Sequence, residues 1–282
     1  MINFINEDFT TIARAQQITG LTYVGNVSHS SKLMKTQKSQ GELTYGIYLA
    51  PANTSGLNVC QGASKYCKAA CLNMSGRNGI FYDNRIQNTR VKKTLFMLRY
   101  SVFMFDWITK EIQLHRQRAA RKGYSFSVRI NCTSDIDLTK FVNSHGRNLF
   151  EEFPDIQFYD YTKIFRRIAQ MDIYPNYDIT YSYNGLNYKE CIEALNAGVR
   201  VAMVFEKSLP STYKGITVVN GDLYDTRYID PKNSIVGLVF KRVRNRIDLS
   251  KTPFVISLDD RGRNQNNLVC EIKNNNFQIT NA

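Results

Sequence analysis

Beyond Gly123 the chain falls into a rhythm of short apolar runs, each closed by a polar cluster: FSVRIN then CTSD, IQFYDY then TK, YDITYS then YNG, VRVAMVF then EK. The series continues through ITVV then NGD, SIVGLVF then KRVR, and PFVISL then DDRG. Apolar runs of this length between turn-forming residues predict buried strands. Upstream, LTYGIYLAP ends at Pro51 and adds one more, making eight candidate strands. Helix-capable segments lie between several of them, at 138–152 and 186–197, and Gly198 follows the second as a helix C-terminus often requires. Residues 84–121 sustain helix in two segments, because Leu95, Met97, Leu98, Val102, Phe103, Phe105 and Ile108 recur near the helical period without Gly or Pro. Residues 7–19 read as a short helix and 21–28 as a strand. The polar, lysine-rich SSKLMKTQKSQ has the make-up of a mobile loop.

Strands alternating with helices imply an α/β protein with a parallel sheet, and eight strands imply closure into a TIM-type (β/α)8 barrel. The expected organisation is an N-terminal extension over 1–41, a barrel over 42–260 with a cysteine-bearing loop at 52–79, and a C-terminal hairpin over 261–282 built from NLVCEIKNNNFQIT. The connections at 205–216 and 219–234 are short for helices, and there the barrel would be distorted or partly open. In such a barrel the C-terminal ends of the strands carry the chemistry.

Composition narrows the class. With 282 residues and 43% hydrophobic content the chain buries a large core, and no apolar run approaches the ~20 residues that span a bilayer. The first twenty residues carry acidic side chains where a secretory signal needs a basic flank. Six cysteines are too sparse for a disulfide scaffold. The expectation is a cytoplasmic protein with reduced thiols and no membrane partner. A net charge of +13 favours phosphate-bearing partners, nucleic acid or nucleotides, although a basic surface kept for solubility accounts for it equally well.

Metal chemistry centres on NVCQGASKYCKAACLNMSGRNG. Cys60, Cys67 and Cys71 stand six and then three residues apart in a polar, glycine-rich loop after the first barrel strand. Thiolates select iron–sulfur clusters or zinc, and three ligands leave a fourth position open. The spacing matches no paired C-x-x-C zinc knuckle, and the bland alternative is that Cys67 and Cys71 are buried small hydrophobes. Cys132 would sit at the barrel mouth as a further ligand or a buried thiol, while Cys191 and Cys270 read as structural. His29, His115 and His145 lack ligand spacing.

The strand-end polar residues form a candidate ring for a nucleoside cofactor: Asn131, Ser134 and Asp135, then Asp160 and Lys163, Ser182 and Asn184, and Glu206, Asp222, Asp225, Arg227 and Lys241. Each has a plainer reading as a cap or turn residue, as Asp135 would be for the helix at 138–152. Arg85, Arg90, Lys92 and Lys93, with Arg116, Arg118, Arg121 and Lys122, give basic helix faces that suit either a nucleic-acid backbone or solvent.

Several segments in order resemble the phage "gene product eighty-eight" family: SHSSKLMKTQ, IYLAP, CQGASKYCKAACLNMSGR, TRVKKTLFML, RINCTSDID, FYDYTK, TYSYNG, and GDLYDTRYID before GLVFK. The resemblance spans roughly residues 29–241. The architecture is also distantly similar to radical S-adenosylmethionine enzymes, in which a three-cysteine cluster follows the first barrel strand. Those enzymes typically space their cysteines by three and then two residues, with an aromatic before the last, where this chain has Ala70. That likeness implies a 4Fe–4S cluster, S-adenosylmethionine at the strand ends, and a nucleic acid, nucleotide or protein substrate. The alternatives are a metal-stabilised basic protein that binds nucleic acid without catalysis, and zinc hydrolysis or deamination, for which the H-x-E and P-C-x-x-C pair is missing.

Overall fold

The computed structural model describes residues 9–28, 30–75, 85–243 and 247–259. Helix α1 (Ile12–Thr19) leads into β1 (Gly25–Val27), α2 (Ser31–Gln40) and β2 (Glu42–Ile47). The cysteine loop carries α3 (Lys65–Ala69), and α4 (Arg85–Arg99) and α5 (Ser101–Arg121) follow. Then come β3 (Ser125–Arg129), α6 (Leu149–Glu152), β4 (Gln157–Thr162), α7 (Gln170–Ile173), β5 (Tyr177–Ser182), α8 (Tyr188–Asn196) and β6 (Val201–Phe205). The last strands are β7 (Thr212–Tyr213), β8 (Ile216–Asn220), β9 (Ile235–Val239) and β10 (Val255–Ile256).

All eight predicted strands form, inside one ten-stranded sheet of order β1-β2-β3-β4-β5-β6-β9-β8-β7, with β10 beside β6. Strands β2 to β6, β8, β9 and β10 pair in parallel, while β1 with β2 and β7 with β8 are the antiparallel strand pairs among the described residues. Up to β6 the order follows the sequence, as a barrel demands. Beyond β6 it departs: β9 takes the place beside β6, and β8 lies outside β9. The cause is the helix-free stretch after β6, where the β7–β8 hairpin turns through Lys214 and Gly215, both at positive φ. Among the described residues no pairing joins β1 to β7, so hydrogen bonds do not close the sheet.

Two other expectations are corrected. SSKLMKTQKSQ is helix α2, because Ser30 Oγ accepts from the Leu33 N–H, Gly41 ends the helix in the left-handed region, and Leu33 is buried. Residues 138–152 are not one helix. A short 3₁₀ turn over Leu138–Lys140, capped by Asp137, is separated from α6 by a turn in which the Asn143 side chain accepts from the N–H groups of His145 and Arg147. Asn148, not Asp135, caps α6. The predicted C-terminal hairpin, Cys270 and His29 lie outside the described residues.

The sheet has two unlike faces. Tyr45, Ile47, Val128, Ile130, Phe158 and Ile179 form one core cluster with Phe96 and Met97 of α4 and Phe105, Ile108 and Ile112 of α5. Each such side chain contributes about 1.5–3 kcal/mol on burial. Glu111 of α5 reaches into this layer, where its carboxylate accepts from the N–H groups of Val24 (2.9 Å) and Gly25 (2.9 Å) and from the Tyr45 hydroxyl (2.6 Å). Three donors make a buried carboxylate tolerable. Gly25 stands against the Tyr45 ring where a Cβ would overlap it. The opposite, inner face is polar, bearing Glu42, Thr44, Ser127, Arg129, Tyr159, Tyr161 and Thr180. The segment 222–230 covers it and is gripped by α2: Lys35 Nζ donates to the Asp222 carbonyl, and Thr36 Oγ1 accepts from the Asp225 N–H.

Among the described residues no helix is long and apolar enough to cross a membrane. Two measurements test this packing. Glu111→Ala strands three donors and should cost about 3 kcal/mol in urea denaturation. Lys93, only 4% exposed beneath the Tyr23 ring, is lowered to about 8 by burial, with Glu111 opposing and Arg90 reinforcing. Between about pH 8 and the ordinary lysine value the unfolded chain binds more protons, so stability rises with pH; Lys93→Met should flatten that rise.

Candidate functional site at the strand ends

Beyond β2 the chain runs through buried Leu49 and Ala50, held by the Thr133 hydroxyl on the Leu49 carbonyl and by the Ala50 N–H on Thr94 Oγ1. Pro51 then begins the loop that carries the cysteines. Cys60 Sγ accepts from the Ala52 N–H at 3.3 Å, and the Cys60 backbone bridges to Asp135, whose N–H donates to the Val59 carbonyl at 2.9 Å. Gly62 packs on Lys163 so tightly that a Cβ would meet the Lys163 carbonyl oxygen at 2.6 Å. Ser64 caps α3, accepting from the Cys67 N–H at 3.1 Å and donating to the Asn184 carbonyl, while Asn184 Nδ2 donates to the Gly62 carbonyl. The loop is thus stitched to the C-terminal ends of β3, β4 and β5. Cys67 rides on α3, and Cys71 follows one turn later.

Past Cys71, Asn73 is held by α4 through Gln87 (3.1 Å) and Arg90. Arg90 is itself buried, 5.7 Å from the Tyr48 ring centroid; burial lowers it below the ordinary arginine value, opposed by Tyr48, Cys132 and Cys71. Burial pushes the Cys60 thiol up to about 11, opposed by the Ala52 N–H and Lys163. Cys71 is raised by burial as well, and each of these two thiols feels another cysteine of the set. Burial works against the Lys163 ammonium, but Cys67, Asp135, Cys60 and Cys71 together hold it above the ordinary lysine value. Three thiols and one ammonium therefore share this end of the sheet. Among the described residues no three His, Cys, Asp or Glu side chains form a group that could hold a single metal ion.

Beneath the loop lies a buried ionic network. Arg167 donates to Asp135 Oδ1 (2.5 Å), Asp160 Oδ2 (2.7 Å) and receives no competition from solvent, being 2% exposed. Asp160 also accepts from Tyr177 (3.1 Å) and Asn131 (2.6 Å), and burial raises its carboxyl despite Arg167. Asn131 Oδ1 accepts from Ser134 Oγ and the Ile136 N–H, and Asp135 accepts further from Thr162 Oγ1 and the Lys163 N–H. Of the predicted ring, then, Asn131, Ser134, Asp135, Asp160, Lys163 and Asn184 gather with the cysteine loop. Most of their polar atoms are spent on the chain itself. Ser182 ends β5, and Glu206 follows β6 and accepts from Ser257. Asp222 and Lys241 pair with each other at 3.7 Å, and Arg227 is wholly buried against Asp230.

Cys132 lies on the inner face beside Gly46 and Tyr48, its thiol on the Arg129 carbonyl at 3.6 Å and pushed up to about 12 by burial. Cys191 is buried in α8. The sequence placed Arg90 on a basic helix face suited to a nucleic-acid backbone or to solvent, and did not single out Arg167 or Asn73. Arg167 carried no signal in the chain beyond its type, whereas Arg90 falls on the α4 stripe with Met97 and Thr94 at helical spacing.

The architecture defines an α/β protein with a mostly parallel sheet and a three-cysteine loop seated on its strand ends. The chain belongs to the Gene product 88 family, whose model matches residues 22–251. No curated protein and no solved structure matches it.

Replacing Arg167 by Met leaves two buried carboxylates without their partner. The expected loss is about 3–5 kcal/mol in denaturant, with earlier proteolysis of the 52–75 loop than in the wild type.

Proposed function

We propose that Cys60, Cys67 and Cys71 hold a 4Fe–4S cluster with one iron open, and that the protein is a redox enzyme of the radical S-adenosylmethionine type. The observation that carries this reading is the attachment of the loop that bears the three cysteines to the ends of β3, β4 and β5, through Cys60 on Asp135, Gly62 on Lys163 and Ser64 on Asn184. The donor set fits: three soft thiolates suit iron bound to sulfide, and the cluster's negative charge has Lys163 and Arg90 as cations close by. When bound, such a cluster supplies one electron to a small molecule held at its open iron. The chain's own work is to fix the thiols, to balance their charge and to support the loop from below through Arg167.

S-adenosylmethionine or a related nucleoside is the proposed ligand, at the strand ends beside Lys163. Asn131, Ser134, Asp160 and Asn184 support the loop and are not first choices for touching it, since their side-chain bonds are internal. The substrate class, nucleic acid, nucleotide or protein, follows from the basic charge and from the likeness to radical enzymes, and stands open among the three.

Anaerobically purified protein should carry about four irons and four sulfides per chain, with visible absorbance that fades on reduction. Cys67→Ala should lose both, and Cys191→Ala should keep them. One zinc per chain in place of iron would support the metal-stapled, nucleic-acid-binding alternative. Absence of any metal would overturn the proposal.

A further inference from the structure

The inner face of the sheet holds a second polar assembly, which the cysteine site does not use. Asp225, fully buried, takes Arg129 Nη1 at 2.7 Å, the Tyr159 hydroxyl at 3.0 Å and Lys32 Nζ at 3.4 Å. Arg227, also fully buried, meets Asp230 at 3.1 Å and donates to the Tyr224 carbonyl at 2.6 Å. Tyr228 closes the far side on Glu42. The Arg129 guanidinium lies 4.8 Å from the Tyr161 ring centroid, and Tyr161 is the cross-strand neighbour of Thr180 on the same face.

Within this assembly eight buried polar atoms have no hydrogen-bond partner among the described residues; Asp225 Oδ1, Arg227 Nη1 and Asp230 Oδ2 have ion-pair partners, which leaves five with neither: Arg129 Nε, Tyr161 Oη, Thr180 Oγ1, Thr226 Oγ1 and Arg227 Nε. Three belong to neighbouring strands β3, β4 and β5, and two to the segment that covers them. Left unbonded, five such groups would cost as much as the net stability of a whole domain. Their partner is neutral on balance, because Lys32, Arg129 and Arg227 are matched in number by Asp225, Asp230 and Glu42. It must accept from the two guanidinium Nε–H groups, while the three hydroxyls can donate to it or accept from it, and it must be small enough to fit between packed layers.

We propose that this seam is a water-binding site: ordered water molecules lie between Arg129, Tyr161 and Thr180 of the sheet and Thr226 and Arg227 of the covering segment. The segment 222–230 therefore rests on the sheet through solvent as well as through ion pairs. The inference is independent of the cysteine site.

The test replaces hydroxyls by groups of the same shape. Thr180→Val and Tyr161→Phe each remove one bond to water, and each should lower the melting temperature by roughly 2–4 °C. A dry seam predicts the opposite, since removing an unbonded buried hydroxyl raises the melting temperature, and that result would overturn the proposal. A crystal structure should show water peaks within hydrogen-bond distance of Tyr161 Oη and Thr180 Oγ1. An anomalous bromide peak at that position after soaking would replace water by an anion and overturn it equally.

Discussion

The guanidinium of Arg167 is the point on which the strand-end architecture turns. It grips Asp135 from the segment after β3 and Asp160 from within β4, and both carboxylates are otherwise sealed from water. A buried ion pair of this kind is weak evidence for stability, because desolvation offsets much of the attraction. Its effect here is geometric. Asp135 also bridges to Cys60 and accepts from the Lys163 N–H, so the position of one charged group is transmitted to the loop that carries the thiols. Pairing carboxylates from successive strands with one arginine fixes how far those strand ends stand apart, whatever the loop above them does.

The division of the sheet into an apolar and a polar face explains why the fold was legible in the chain. One apolar face gives the early strands apolar side chains at every second position, and the eight runs picked out by pattern are all strands. Gly198, at positive φ after α8, and the long helical stretch of α4 and α5 were equally plain. What pattern could not give is strand order. SIVGLVF beside VRVAMVF, with ITVV outside, depends on which edge the β7–β8 hairpin leaves open, and no local propensity encodes that choice. Helix α2 was missed for a related reason: its polar sequence satisfies the backbone through the Ser30 cap and the Gly41 terminus, while Leu33 and Thr36 are its buried residues.

The candidate site was legible in part. Cysteine spacing within a glycine-rich loop drew attention to three residues that the fold does bring to one end of the sheet. The ring of strand-end polar residues was a coarser guide. Asn131, Ser134 and Asp160 gather beneath the cysteine loop, yet successive side chains of one strand face opposite layers, so Asp160 and Tyr161 serve different networks. Arg227 belongs to the inner assembly and Asp222 to the edge of the covering segment. Such assignments require knowing which loop folds back over the sheet, and only the tertiary structure supplies that.

The shared edge of β6 bears on how the chain reaches this state. Its first half pairs with β5, made earlier, but its second half pairs with β10, and its other edge pairs with β9. During synthesis β6 leaves the ribosome about fifty residues ahead of β10, an interval of a few seconds at ordinary elongation rates. For that time Val204 and Phe205, both apolar, sit on a strand end with open backbone groups. The nascent protein thus passes through a stage in which this apolar strand end, open to pairing with another chain, waits for the segment that covers it.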